Sequence, residues 1–453
     1  MRDARRAGLL AAALVLAGSA AALAQPPDPR VAAARRLVTE AEQEAKALAT
    51  DEDRAALRDL ARAQAKLGDI AAAERTFAAI PSLPDRQNTW LARLAILGAQ
   101  AARGDVAGAL RAVAGLPSGY SRQQALSVVV REQAARGDAA EALRTATSAM
   151  LVAPAPHLVF AVAEGQAEAG DFAGALRTVR TLPRNPADFD SENFVALLQA
   201  RTGDHAGALA TARAIRSDKR FFTYGALAVL QARRGDTAAA LTIARDIPET
   251  DRFQVRDLTL HGIAVVQASG GDPSGARTTA AGIKDADVQM AARAALLGAQ
   301  AAHGDLAGAL AAVPPASERD ARRYALTRIA AAQAGRGDTA GAIVTLGGLD
   351  DADDRIAALA RVGTLLVEAG ALEAARYITA AIPRPDVRDR TEEKVALALA
   401  RSGNPEPWLE LLRKKPAAAA RVSALGRAAE QVLKKPEDDL LGLRGMLPRQ
   451  MRP

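Results

Sequence analysis

The sequence predicts an all-α protein, a solenoid of about eleven helix-turn-helix units of roughly 33 residues each, and three observations predict it. A glycine, usually followed by Asp, recurs at Gly68, Gly104, Gly137, Gly170, Gly203, Gly235, Gly271, Gly304, Gly337, Gly370 and Gly403, in steps of 36, 33, 33, 33, 32, 36, 33, 33, 33 and 33. A fixed period in this range is the mark of a repeat architecture. Other residues keep phase with it: Gln-Ala begins four residues before the glycine in nine successive units, and Ala stands five residues after it in ten. The chain is also 49% hydrophobic but only 3% aromatic, with much of the apolar content Ala, the strongest helix former.

Composition narrows the chemistry. No Cys is present, which removes disulfides, thiolate metal sites and Cys nucleophiles. The net charge of +7 is modest for 453 residues. Few aromatic rings leave little material for base stacking, so nucleic acid is not an expected partner.

The chain begins like a leader. Arg2, Arg5 and Arg6 form a basic start, Ala7 to Leu16 an apolar stretch, and Ala22-Leu23-Ala24 a small-x-small cleavage site, giving residues 1–24 as a signal peptide. The apolar stretch is short for a membrane span and is followed by Gly18 and Ser19. Arg5-Arg6 leaves the choice between the general and the twin-arginine route open. Export, to the periplasm or outside the cell, is the expected destination, and zero Cys suits an oxidising compartment. A leading helix follows within residues 25–50, with Val31, Ala34, Leu37 and Ala41 on one face.

One unit, Ser121 to Ala149, shows the local physics. Ala125, Leu126, Val129, Val130 and Gln133 recur at helical spacing, so Arg122 to Arg136 forms the first helix. Gly137 suits the left-handed position just past a helix end, where no Cβ is strained. Asp138 then caps the second helix, and Ala142 puts no bulk where the two helices meet. In other units Ile-Pro or Leu-Pro, as at Ile80-Pro81 and Ile247-Pro248, ends the second helix.

The Gly-Asp-x-x-x-Ala pattern, as in Gly104-Asp105 with Ala109, resembles the tetratricopeptide-repeat family over about residues 50–415. The period is 33 where the family has 34, the helix-ending Pro comes early, and Gln replaces the first-helix Tyr. The resemblance implies a right-handed solenoid over residues 51–415 with first helices lining a concave face. Projected onto that face, the distinctive residues are His157, Phe160, Glu164, Asn193, Arg201, Phe222, Arg233, His261 and Tyr324. They are the expected partner-binding patch. The basic clamp some family members use for a C-terminal carboxylate is not apparent.

Past Gly403 the pattern fails: Asn404 replaces Asp, and Trp408 stands where ten units have Ala, so the array is expected to stop there. Residues 416–453 read as a basic helical cap or tail. From Pro405 onward there are 10 basic and 6 acidic residues, leaving the repeats nearly neutral.

Two regular features admit two readings each. Arg-Gly-Asp occurs four times, at Arg103, Arg136, Arg234 and Arg336, either as an adhesion tripeptide or as the turn preceded by a residue favourable to a helix C-terminus. The Gln column either satisfies backbone groups of a neighbouring unit or lines a groove for an extended peptide. His157, His205, His261 and His303 are scattered more than a repeat apart and match no metal spacing. No phosphate loop, nucleophile elbow or HExxH is present. The sequence therefore predicts a non-catalytic protein without cofactor or metal, a scaffold for a protein or peptide partner. The alternative is an envelope binder of anionic lipid or polysaccharide through the basic tail, the one place for membrane contact.

Overall fold

The computed structural model describes residues 28–48, 54–80, 87–116, 119–148, 156–181, 191–215, 218, 220–249, 254–415 and 417–434. The expected signal peptide and the last nineteen positions of the tail lie outside these residues. The described residues form twenty-four helices and no strand. α1 (Pro29–Ala45) leads, and eleven pairs follow. They are α2 and α3 (Arg54–Lys66, Ile70–Ala78), α4 and α5 (Gln87–Ala102, Val106–Ala114), α6 and α7 (Tyr120–Ala135, Ala139–Ser148), α8 and α9 (Pro156–Glu168, Phe172–Arg180). Next come α10 and α11 (Ser191–Arg201, His205–Ala214), α12 and α13 (Arg220–Arg233, Thr237–Arg245), α14 and α15 (Val255–Ser269, Pro273–Ala281), α16 and α17 (Ala286–Ala302, Leu306–Ala311). The last pairs are α18 and α19 (Arg319–Gly335, Thr339–Leu346), α20 and α21 (Ala352–Glu368, Leu372–Ala380), α22 and α23 (Pro385–Arg401, Glu406–Arg413), before the final α24 (Ala418–Leu433). The chain is an all-α solenoid.

The turn between paired helices follows from its residues. All eleven landmark glycines have φ between +76° and +103°, the region that favours glycine. At Gly203 the amide donates to the Ala200 carbonyl and the Asp204 amide to the Gln199 carbonyl, the paired bonds of a left-handed helix end. Asp204 then accepts from the Gly207 amide at 2.9 Å and starts α11. The Ala five residues past each landmark, from Ala73 to Ala375, is wholly buried in all ten units.

The array does not stop at Trp408. The helix that holds it, α23, is a second helix whose Leu409 and Leu412 are buried, and Trp408 is half-buried against the same cluster. α24 then occupies the first-helix place of a twelfth unit, packed on α22 and on α2. Its second helix comes from the other end of the chain, since α1 packs along α24. The two terminal segments are thus not caps at opposite ends; they complete one unit, and the solenoid closes into a ring.

The seam has a dry core and a polar edge. Leu37, Val38 and Ala41 of α1, Leu60 of α2 and Val422, Leu425, Ala429 and Val432 of α24 form one buried cluster. Arg421 pairs with Glu44 at 2.6 Å, Arg36 with Glu406 at 2.6 Å and Arg62 with Glu430 at 2.8 Å. Closure removes the exposed apolar ends that an open repeat array has to cap.

First helices pack on first helices all round the ring, whereas second helices rarely meet one another, so the first helices form the inner layer. Twelve units in one turn mean about 30° between neighbours, a small rotation repeated at every joint. With packed helices about 9 Å apart and about 10 Å thick, the opening is roughly 24 Å wide. Three joints of the inner layer are especially close, each at a glycine. A Cβ on Gly165 would lie 2.1 Å from the Arg131 carbonyl oxygen, on Gly298 3.0 Å from that of Arg328, and on Gly426 2.7 Å from that of Asp59.

Candidate functional site

Residues along the inner wall of the ring differ among units. Along each first helix the positions thirteen, nine, six and two residues before the landmark form one strip facing away from the second helices. In α18 these are Tyr324, Arg328, Ala331 and Gly335. A concave site of about 240 Å³ opens on this wall, lined by Ala291 of α16, by Arg323, Tyr324, Thr327 and Arg328 of α18, and by Ala357, Ala358, Arg361 and Leu365 of α20. Only first helices line it.

Arginine dominates the chemistry of this site. Arg323 stacks over the Tyr324 ring at 5.2 Å and reaches Asp354 at 3.6 Å. Arg361 lies 3.6 Å from Glu368. Arg328 forms no hydrogen bond or ion pair with any described residue. Burial, and then Arg361 beside it, hold its guanidinium below the usual arginine range. His261 of α14 faces the same cation: burial first, then Arg328, lower its pKa to about 4, so the imidazole is neutral at pH 7. The site can hold an anion by charge and by donated hydrogen bonds.

A second patch lies on α6 and α8. Burial raises the Glu164 carboxyl to about 7, Arg131 opposes this, and Glu168 adds to it. Arg131 is paired with Glu132 at 2.6 Å. This patch is mixed in sign, and half of its Glu164 is neutral near pH 7. A third group closes the seam: Asp59, only 1% exposed, accepts from the Ser423 hydroxyl at 2.6 Å and faces Arg58, Arg62 and Arg427. Its role is in closure.

The nine residues projected from the sequence fall into distinct places. Tyr324 and Glu164 stand on the inner strip, and His261, one position off it, faces Arg328. Phe160 meets Phe194 edge-on at 5.5 Å and belongs to a core cluster, as does Phe222. Asn193 is buried and accepts from the Thr223 hydroxyl at 2.9 Å, joining α10 to α12. His157 starts α8 with its Nε2 buried and unpartnered, and burial lowers its pKa. Arg233 ends α12, exposed. Arg201 ends α10, and its side chain lies outside the described residues. The structure gathers Tyr324 and His261 around Arg328 and leaves Phe160, Asn193 and Phe222 in packing roles.

Sequence reading missed the cations. Nine residues before the landmark, units two to eight carry Ala95, Val128, Ala161, Phe194, Ala226, Gly262 and Ala295. The next four carry Arg328, Arg361, Lys394 and Arg427, each one repeat period after the last. The repeats are near neutral in total, yet this arc of the wall is basic. Comparing that one register across units would have found it.

Three members of the Gln column share one bonding pattern. Gln199 Oε1 accepts from the Thr211 hydroxyl at 2.8 Å, and its amide donates to Asp204 at 3.2 Å. Gln267 and Gln333 repeat both bonds with Thr279 and Asp272, and with Thr345 and Asp338. In these three units the amide joins the two helices and the cap of its own unit, not the backbone of the next; Gln64 instead donates to Glu42 of α1 at 2.8 Å. The Arg of Arg-Gly-Asp also has a packing role: Arg136 donates to the Ala102 carbonyl at 2.9 Å and Arg336 to the Ala302 carbonyl at 2.7 Å, capping the first helix of the preceding unit.

No family model and no curated protein matches the chain. Among solved structures it is similar to a "circular tandem repeat protein with novel repeat topology and enhanced subunit contact surfaces", at 16% identity and a TM-score of 0.13, covering 88% of this chain and 90% of that one. A likeness at that score carries no argument, and the ring stands on the seam contacts alone. Among the described residues no three His, Asp or Glu are grouped to hold a metal ion. No described helix is long and apolar enough to cross a membrane.

Proposed function

We propose that this protein is an exported, non-catalytic scaffold, a divergent tetratricopeptide-like ring that holds a protein or peptide segment against its inner wall. One observation carries the reading. Positions needed for packing repeat from unit to unit, as the wholly buried Ala series does, whereas the inner strip keeps no one residue type round the ring: nine before the landmark it holds Asp59, Ala95, Val128, Phe194, Gly262 and Arg328 among others. A surface under packing demands alone meets the same demand twelve times. A concave strip free of that demand can vary to suit a partner. Export rests on the leader-like residues 1–24, and the tetratricopeptide likeness on Gly-Asp-x-x-x-Ala.

Attachment to anionic lipid or polysaccharide through the tail has less support. Arg421 pairs with Glu44, and Lys415 just before the tail pairs with Glu393 at 3.0 Å, so the cations where the tail begins are engaged in the ring.

Photo-crosslinking in cells tests the proposal. A crosslinker at inner-wall Leu91, Glu164 or Tyr324 is expected to capture a common partner, and one at outer-wall Arg144 or Tyr377 is not. Capture only from the outer positions, or from none, overturns it.

A further inference from the structure

Arg328, Arg361, Lys394 and Arg427 hold one register on four successive first helices, α18, α20, α22 and α24. They form an arc of like charge at one height of the inner wall. Like charges side by side repel, and packing does not demand them, since seven other units manage with Ala, Val, Phe or Gly at that register and the first unit, beside Arg427, carries Asp59. Two of the four form an internal ion pair and two do not. Arg328 and Lys394 make no hydrogen bond or ion pair with a described residue, Arg361 has Glu368 at 3.6 Å, and Arg427 stands 3.9 Å from an Asp59 that Arg58 and Ser423 already satisfy. Lys394, Arg361 and Arg427 are exposed, and Arg328 lines the concave site beside the Tyr324 ring.

We propose that this arc binds an extended acidic peptide, with the Arg328–Tyr324–Arg361 concavity as its anchor. The proposal rests on the scaffold reading above and names the partner's chemistry. Spacing selects the ligand. Successive first helices lie about 9 Å apart. A polyproline-type chain rises about 3.1 Å per residue, so every third side chain recurs after about 9 Å on one face. A peptide with a carboxylate at every third position places one carboxylate against each cation. A segment of about ten residues spans the four helices, and the opening admits it with room to spare.

The test uses the full mature chain and a fluorescein-labelled (Glu-Pro-Pro)4 peptide, read by anisotropy at low salt. Binding is expected, with the double variant Arg361→Gln/Lys394→Gln weaker by at least tenfold. Both residues are exposed, so folding is kept and is checked by circular dichroism. Arg328→Gln is expected to weaken binding and Arg328→Lys to restore part of it. The outer-face variant Arg376→Gln is expected to change affinity less than twofold. A peptide with its four Glu in one block is expected to bind more weakly, and a tetragalacturonate not to compete. Absent binding, an equal loss in the outer-face variant, equal binding of the blocked peptide, or stronger binding of the saccharide each overturns the proposal. Failure here is distinguishable from failure of the scaffold reading. A partner captured from Leu91 and Glu164 and indifferent to Arg361→Gln/Lys394→Gln removes the arc and keeps the scaffold.

Discussion

Arg421 of α24 and Glu44 of α1, 377 positions apart in the chain, form an ion pair at 2.6 Å. Both side chains are mostly covered, and the pair sits beside the buried seam cluster that joins the two ends. A ring follows from this contact, and so does its vulnerability.

The seam is one cooperative joint. Leu37 is wholly buried in it, and Leu37→Ala is expected to cost about 2–5 kcal/mol, the range for a buried leucine truncated to alanine. Chemical denaturation reads the loss. Gly426→Val, whose side chain meets the Asp59 backbone, is expected to part α24 from α2 and raise the radius of gyration in solution scattering. An unchanged radius would mean that the seam tolerates the added bulk.

Gln199 is a staple, so removing it acts on stability. Gln199→Leu leaves the Thr211 hydroxyl and one Asp204 oxygen without a partner, at an expected cost of about 1–3 kcal/mol. The double variant with Thr211→Val is expected to cost less than the sum of its parts, because both report on one network. Additive losses in a thermal melt would place the two residues in separate roles.

Glu164 and His261 predict opposite pH slopes. The Glu164 carboxyl is raised in the folded chain to about 7, so the folded state holds a proton that the unfolded state has lost, and stability falls as pH rises from about 4.5 to 7. His261 is lowered to about 4, so the unfolded state takes the proton first, and stability falls as pH drops from about 6.5 to 4. Each contributes at most about 1.4 kcal/mol per pH unit, and the two partly cancel. Glu164→Gln is expected to make stability rise more steeply with pH across this window, and His261→Gln to leave the falling slope of Glu164. Denaturation curves at pH 5, 6 and 7 check both signs.

Gly165 decides how closely α6 and α8 approach. Gly165→Ala puts a methyl 2.1 Å from the Arg131 carbonyl oxygen, so the helices have to separate. A loss of about 1–3 kcal/mol is expected, as for an overpacked core. Gly137→Ala, in open space but at φ +93°, is expected to cost less, through backbone strain alone. The reverse order in melting temperature would show that this joint is not tight in solution.

Residues close in the chain were legible, and residues brought together across units were not. The turn at Gly203-Asp204 is local, made by a backbone conformation and a cap three residues away, so its period exposes it at once. Phe160 and Phe222 look distinctive on a helix taken alone, but each has a packing partner on a neighbouring helix that no periodicity reveals. Arg328 and Lys394 look like ordinary solvated cations until their helices stand side by side. Trp408 suggested an end because a bulky residue had replaced Ala, yet a half-buried Trp in a short second helix lets the array continue into α24.

By itself, the sequence determined the unit: its length, its glycine turn, its capped second helix and the alanine contact between the pair. These depend on interactions within a single unit. Only the tertiary structure decided that twelve units close and that the first and last helices make one of them. Closure is the sum of small rotations, one at every joint, set by contacts as fine as the glycine approaches at Gly165, Gly298 and Gly426. No single unit carries that sum, and the Arg421–Glu44 pair exists because it reaches a full turn.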